Sequence, residues 1–241
     1  MYMEMERLDK ILAGTGEYTR SEARQMIVFG SVSVDDAVIR RPETKVSRGS
    51  RITAAGRVID AAEFVYIMMN KPRDYVSAAK DEAYPAVTRL LSEPLRNRGV
   101  FCVGRLDADV TGLLILTDDG AFAHRVTSPR SEIKKTYEVN LDAPLTPEDA
   151  AALKDGIVTK GGTVYRPAEL TIREDDPTTG LVAVTEGKFH EVKNLMSARG
   201  KHVVSMRRLS VGGLRLDPAI ATGEYRRMTQ LEVEAVFHKN V

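Results

Sequence analysis

The 241-residue chain has one cysteine, no long apolar run and almost no net charge. A lone Cys102 permits no internal disulfide and no cysteine-rich zinc centre, which fits a reducing, cytoplasmic setting. It lies inside the apolar run Val100-Phe-Cys-Val103 and reads as a small core residue. No apolar stretch approaches the ~20 residues that span a bilayer. The first residues, Met1-Tyr-Met-Glu-Met-Glu-Arg7, are acidic and lack the apolar segment of a secretory signal. A soluble, cytoplasmic protein with no membrane partner is expected. The chain also has no internal repeat and no low-complexity segment.

What is present is ordinary in amount and uneven in placement. Hydrophobic residues make up 43% and charged residues 29%, enough for a proper core in one large domain or in a small and a medium one. Lys and Arg number 35 against 34 Asp and Glu, so net charge alone does not announce a nucleic-acid binder. The local balance is more telling. Between Glu186 and Arg208, six basic residues face only Glu186 and Glu191, and from His124 to Tyr137 four face only Glu132. Basic patches on a neutral protein suit a surface that tracks phosphates, although solvated basic faces give the same counts.

The pattern along the chain predicts an α+β protein in two parts. Leu8, Ile11 and Leu12 recur at helical spacing, and Thr19 with Glu22 forms a capping box for a second helix that stops at Gly30. Short strands follow around Val32–Val34, Val38–Ile39, Val46 and Ile52, with a turn at Asp35-Asp36. Composition changes near residues 60–63, so the domains are set at 1–61 and 62–241. The larger part opens on a dense strand, Phe64–Met69, closed by Asn70-Lys71-Pro72-Arg73. Strands are expected at Val100–Val103, Leu113–Leu116, Tyr137–Leu141, Val164, Leu170–Ile172, Leu181–Val184, Val203–Val204, Leu209–Val211 and Leu214–Leu216. Helices are expected at Pro85–Leu91, Ala121–Val126, Thr146–Leu153, Glu191–Arg199 and Gln230–Phe237.

The most informative segment is Val103-Gly-Arg-Leu-Asp-Ala-Asp-Val-Thr-Gly112, running into Leu113-Leu-Ile-Leu-Thr-Asp-Asp-Gly120. It sets Arg105, Asp107 and Asp109 in a polar loop between two apolar strands, and Asp and Arg are rarely held beside a core without a partner. Such loops on rigid scaffolds are where catalytic groups sit. Two blander readings compete. Asp107, Asp109, Thr111 and Gly112 match the first half of a calcium loop, but Asp118 stands where a bidentate Glu is needed. A plain turn with Asp side chains bonded to their own backbone accounts for the spacing equally well.

Three downstream clusters join the loop: Lys134-Lys-Thr-Tyr137, Glu186-Gly-Lys-Phe-His-Glu-Val-Lys193-Asn-Leu-Met196, and the Arg20/Arg24 face near the start. Singly, Tyr137 reads as core, Lys193 as a solvated helix residue and His190 as a surface or capping histidine. In combination, Gly104-Arg-Leu-Asp107, Thr111-Gly-Leu-Leu114 and Thr117-Asp-Asp-Gly120, with Lys135-Thr-Tyr137 and Glu186–Lys193 in order, resemble the motifs of pseudouridine synthases. Arg7-Leu-Asp-Lys10, Thr19-Arg-Ser-Glu-Ala23 and Gly30-Ser-Val-Ser-Val34 resemble an S4 RNA-binding domain. Thr117–Gly120, His124-Arg125, Thr127-Ser-Pro-Arg130 and Gly223-Glu-Tyr-Arg226 are closest to the small-subunit rRNA (RsuA-type) branch. There are departures: Asp35-Asp36 stands where S4 domains often carry Asn-Gly or Asp-Gly, Lys193-Asn194 replaces a more basic pair, and Glu191 stands where relatives often have Gln.

The resemblance implies an S4-like α+β domain followed by a catalytic domain on a large, mainly antiparallel mixed sheet with flanking helices. It implies isomerisation of one uridine to pseudouridine in 16S rRNA, with no metal and no organic cofactor. Asp107 is then the catalytic carboxylate, as nucleophile or base, with Asp109 shaping the loop. Lys193 is its cation and Tyr137 the platform for a flipped base. Leu195 or Met196 forms the opposite wall, and Arg105 binds phosphate or braces the loop. Lys10, Arg20 and Arg24 contact RNA phosphates. A monomer acting on rRNA, free or in a pre-ribosomal particle, is expected. The alternatives are the same reaction on 23S rRNA and a non-catalytic S4-type binding factor.

Overall fold

A computed structural model of the chain describes residues 5–78, 81–159 and 161–238. The chain divides into two compact units, Met1–Val65 with Leu91–Val100, and Tyr66–Leu90 with Phe101–Val241. The first carries β1 (Met5–Arg7), α1 (Leu8–Gly14), α2 (Arg20–Val28), β2 (Val32–Val34), β3 (Ala37–Val38), β4 (Lys45–Ser47), β5 (Ile52–Ala54), β6 (Arg57–Val58) and, from the later segment, α3 (Glu93–Asn97). Strands β3-β2-β5-β6 form one antiparallel sheet, and β1 pairs with β4. Leu8, Ile11, Leu12, Ala23 and Ile27 bring the apolar stripes of both helices onto Val32, Val46 and Ile52.

Local chemistry explains the boundaries. Thr19 Oγ1 accepts from Glu22 N at 3.2 Å while the Glu22 carboxylate accepts from Thr19 N at 2.7 Å, closing the predicted capping box. Asp35 and Asp36 both take positive φ (48° and 66°), as a type I′ hairpin turn requires. Asp tolerates that region better than most residues, and Asp35 adds a bond from Arg51 N at 2.9 Å that glycine could not make.

The second unit is built on a nine-stranded sheet. Its elements are β7 (Tyr66–Lys71), β8 (Phe101–Cys102), β9 (Val110–Thr117), α4 (Gly120–Thr127), β10 (Lys135–Leu141), α5 (Pro147–Asp155), β11 (Ile157–Val158), β12 (Val164–Tyr165), β13 (Glu169–Ile172), β14 (Thr179–Val184), α6 (Glu191–Ala198), β15 (Val203–Val211), β16 (Leu214–Arg215), β17 (Tyr225–Arg227) and α7 (Gln230–Ala235). The order is β13-β14-β10-β15-β9-β7-β17, with β8 and β16 appended and β11-β12 a separate pair. Strands β15 and β9 run parallel, and the other paired neighbours are antiparallel. This is the mainly antiparallel mixed sheet expected. On β9 nearly every residue is buried, and on β10 burial alternates as its sequence does. Phe122 of α4 packs edge-on against Tyr66 of β7 and Phe237 just beyond α7, joining α4 and the chain's last segment to one core.

Two expectations are corrected. Pro85–Leu91 is not a helix. Val76 N donates to Pro85 O and Val87 N to Val76 O, which holds Pro85–Val87 extended and leaves only a 3-10 turn at Val87–Leu90. Val203–Val211 is one continuous strand rather than two, because its polar middle is paired on both sides, to β10 and β9.

Candidate active site

The loop between β8 and β9 is fixed from below before its carboxylates are considered. Lys71, the last residue of β7, is fully buried, and its Nζ donates to the carbonyls of Val110 (2.8 Å), Pro72 (3.0 Å) and Ala108 (3.3 Å). Ser77 Oγ both donates to Leu106 O and accepts from Leu106 N. Asp74 N closes the other side onto Ala108 O. Burial pushes the Lys71 ammonium down to about 8, against the pull of Asp109, Asp107 and Asp74. Gly112 lets β9 lie against β15: with φ +99°, a Cβ there would sit 2.3 Å from Arg208 O.

Above this base, Lys193 of α6 meets the loop. Its Nζ lies 3.0 Å from Asp107 Oδ2 and 2.8 Å and 3.0 Å from the Asp109 carboxylate. Burial pulls the Lys193 pKa down, but the two carboxylates outweigh it and leave it raised. Burial likewise pushes Asp109 up, and Lys193 more than offsets it, so Asp109 stays below the usual carboxylate range. Asp109 is therefore more than a loop-shaping residue: it shares the cation. His190 Nε2 stands 3.3 Å from Asp107 Oδ2. It enters α6 in the left-handed region (φ 51°), makes no side-chain cap and stacks on the exposed Phe189 at 3.7 Å.

Asp107 opens onto a cleft of about 330 Å³, and Asp109 is not among the residues lining it. Tyr137 and Lys135 form its floor with Arg208, and Arg105, Phe189 and His190 stand around it. Arg105 is exposed, with no hydrogen bond or ion pair among the described residues. Lys135 is buried and donates to Glu186 O at 2.8 Å; burial, with Arg208 beside it, lowers its ammonium to about 8.

Leu195 and Met196 do not form the opposite wall. Both are fully buried, and neither lines the space around Asp107. They follow Val192 by three and four residues, one helical turn deeper into the core, while Val192, Val184 and Met206 line the inner recess. Lys71, Lys135, His190 and Arg208 had no role at the site from the sequence alone. The signal for Lys71 was a lysine closing an apolar strand; for Arg208 it was charge inside a strand pattern.

In the first unit, Arg20 and Arg24 both bond the buried Asp9, at 3.1 Å and 3.0 Å, and remain about half exposed. Lys10 pairs with Glu6 and is exposed.

Comparison with known proteins decides the family. The family described as RNA pseudouridylate synthase matches residues 65–198, and the S4 domain matches residues 6–52. The chain belongs to the RNA pseudouridylate synthase family. These enzymes are isomerases, and this member carries an S4 RNA-binding domain ahead of the catalytic fold. It is 39% identical over 230 residues to an uncharacterized RNA pseudouridine synthase of Bacillus subtilis, covering 94% of this chain and 96% of that protein. It is 35% identical over 232 residues to the ribosomal small subunit pseudouridine synthase A of Escherichia coli K12, covering 95% and 99%. The same enzyme of Pasteurella multocida is 36% identical over 235 residues, covering 97% of this chain and all of that protein (100%). A crystal structure of a pseudouridylate synthase superposes with a TM-score of 0.68 at 34% identity, covering 96% of this chain and 99% of that one. Among the described residues, no helix of this family member is long and apolar enough to cross a membrane.

Proposed function

We propose that the protein converts one uridine of 16S rRNA to pseudouridine, with Asp107 as the carboxylate that acts at the ribose. The observation that carries this reading is that Asp107, paired to Lys193, opens onto the cleft floored by Tyr137. The ribosomal small-subunit relatives support 16S rRNA as the substrate.

The reaction must break a C–N bond and form a C–C bond to the same base. A carboxylate near the anomeric carbon serves either by adding to it or by taking a ribose proton. Lys193 pairs with Asp107 in a partly dry site, and His190 adds a second contact to the same oxygen. The uridine has to leave its stack to reach Asp107, and the Tyr137 ring offers the flat surface a flipped base needs. Arg105, unpaired at the rim, takes a backbone phosphate.

Residues 1–61 supply affinity and 62–241 the chemistry. Arg20 and Arg24 reach phosphates with the guanidinium faces that Asp9 leaves exposed, and Lys10 adds a third cation. Such contacts position the RNA rather than read its sequence, and weaken with salt. The chain acts as a monomer, on free 16S rRNA or on a pre-ribosomal particle.

Asp107→Asn tests the assignment. RNA affinity should hold within about threefold while pseudouridine formation falls by roughly 10³-fold or more. Undiminished product, measured by nucleoside chromatography of digested 16S rRNA, would remove Asp107 from the chemistry. Wild-type protein giving product on 23S rRNA alone would move the substrate.

A further inference from the structure

Arg208 is a buried cation of the catalytic unit that the reaction as set out above leaves unused. It lies on β15, opposite Tyr137 on β10 and beside Gly112 on β9, so guanidinium and ring share one face of the sheet. It is 4% exposed. Nε donates to Leu113 O at 2.8 Å, and Nη2 is buried with no partner among the described residues. A guanidinium presents five N–H donors in a rigid fork, and buried donors in folded proteins are nearly always satisfied. Lys135, two residues before Tyr137 on the same face, differs: its ammonium is taken up by Glu186 O and Thr185 O. Arg208 lines the cleft of Asp107 and Tyr137, so a ligand in that cleft is placed to bring the acceptor it lacks.

We propose that Arg208 receives a carbonyl oxygen of the flipped uracil and stabilises the negative charge the base acquires as it leaves the ribose. The proposal rests on the reading of the cleft as the uridine site. When C1′–N1 breaks, the bonding pair stays with uracil and its charge spreads over N1, O2 and O4. C5 then bonds to C1′, C5 loses its proton and N1 gains one, so the product is an isomer and no redox partner is involved. Uracil has an approximate two-fold axis through N3 and C6. The half-turn that puts C5 where N1 stood also puts O4 where O2 stood. A donor fixed in the sheet therefore meets a carbonyl oxygen before and after the turn. A preorganised cation in a partly dry site is worth most where charge develops, and least where the base is still neutral.

The test separates this role from a structural one, in which Arg208 only ties β15 to Leu113 of β9. 16S rRNA is transcribed with uridine or with 5-fluorouridine throughout, and N-linked nucleoside is followed against C-linked product in single-turnover reactions. Fluorine at C5 stabilises the departing anion, so cleavage needs less help from the protein. Arg208→Gln should slow the uridine reaction about 10²–10³-fold with RNA affinity kept within about threefold. On the fluorinated transcript, the ratio of wild type to variant should shrink by about tenfold or more. Arg208→Lys, which keeps the charge but not the fork, should fall between and shows the same dependence if the Gln variant fails to fold. Equal slowing on both transcripts, loss of RNA affinity alone, or wild-type rates in both variants would overturn the assignment of Arg208 and leave the cleft reading intact. Wild-type protein that breaks no C1′–N1 bond in either transcript would overturn the cleft reading, and this assignment with it.

Discussion

Arg7, Arg20 and Arg24 surround Asp9, and Lys193 with His190 meets Asp107, but the Asp9 side chain is fully shielded, whereas that of Asp107 keeps 32% of its surface open. Arg7 grips Asp9 through two bonds of 3.0 Å and 2.9 Å, and Arg20 and Arg24 add one each, so its lone pairs are filled. The Arg7 contact, helped by Arg24 and Arg20, holds the Asp9 carboxyl far below the usual range. Asp107 shares its ammonium with Asp109 and keeps an open side on the cleft. A carboxylate that is paired and still accessible can meet a substrate. One that is enclosed by its partners is a structural rivet, and access to the cleft separates the two.

Exchanging each acid for its amide should break this comparison in opposite directions. Asp107→Asn should lose product by roughly 10³-fold or more, worth about 4 kcal/mol, with a stability change under about 1 kcal/mol because its partners are partly solvated. Asp9→Asn should do the reverse. It leaves three arginines crowded around a neutral amide, and the first unit should lose about 3 kcal/mol in urea titrations. The stability Asp9 contributes is present above the unfolded carboxyl range and lost as pH falls, because its folded pKa is depressed. A pH-independent cost of Asp9→Asn would contradict that origin.

Both environments were legible to different degrees, for reasons that follow from distance along the chain. Asp9, Arg20 and Arg24 lie within a helical hairpin, and the Thr19–Glu22 box that starts α2 is a four-residue signal. The motif from Gly104 to Gly120 marked Asp107, and alternation placed Tyr137 on a buried strand face. Lys71 closes an apolar strand, but that gives it no role, because its role depends on the carbonyls of Ala108 and Val110, brought near only when β7 pairs with β9. Arg208 falls in the polar gap between the expected strands Val203–Val204 and Leu209–Val211. Only pairing on both edges carries β15 through it. Leu195 and Met196 were correctly apolar on α6, but periodicity gives a buried face without saying which turn reaches the cleft.

The comparison sharpens at Lys71, a buried cation held by carbonyls instead of carboxylates. Burial lowers it to about 8 from 10.5 in the open chain. Between those values the unfolded chain binds a proton the folded chain has released, so this group makes stability rise with pH across that window. Below it both forms are charged and the slope vanishes. The limiting slope for one proton is about 1.4 kcal/mol per pH unit. Lys71→Met should remove it, read as a shallower dependence of unfolding free energy on pH from 8 to 10. It should also loosen the Asp107 loop and slow product formation. An unchanged pH slope would mean that Lys71 does not release its proton on folding in that window.

The smallest expected effect separates the two acids of the loop. Asp109 is 54% exposed and does not line the cleft, yet makes the shorter contact to Lys193. Asp109→Asn removes a competitor for that ammonium without touching the base or the sugar. An exposed ion pair of this kind contributes about 0.2–1 kcal/mol, which bounds the change in rate at roughly fivefold. A loss from Asp109→Asn as deep as that from Asp107→Asn would show that the cation, and not access to the cleft, distinguishes the two.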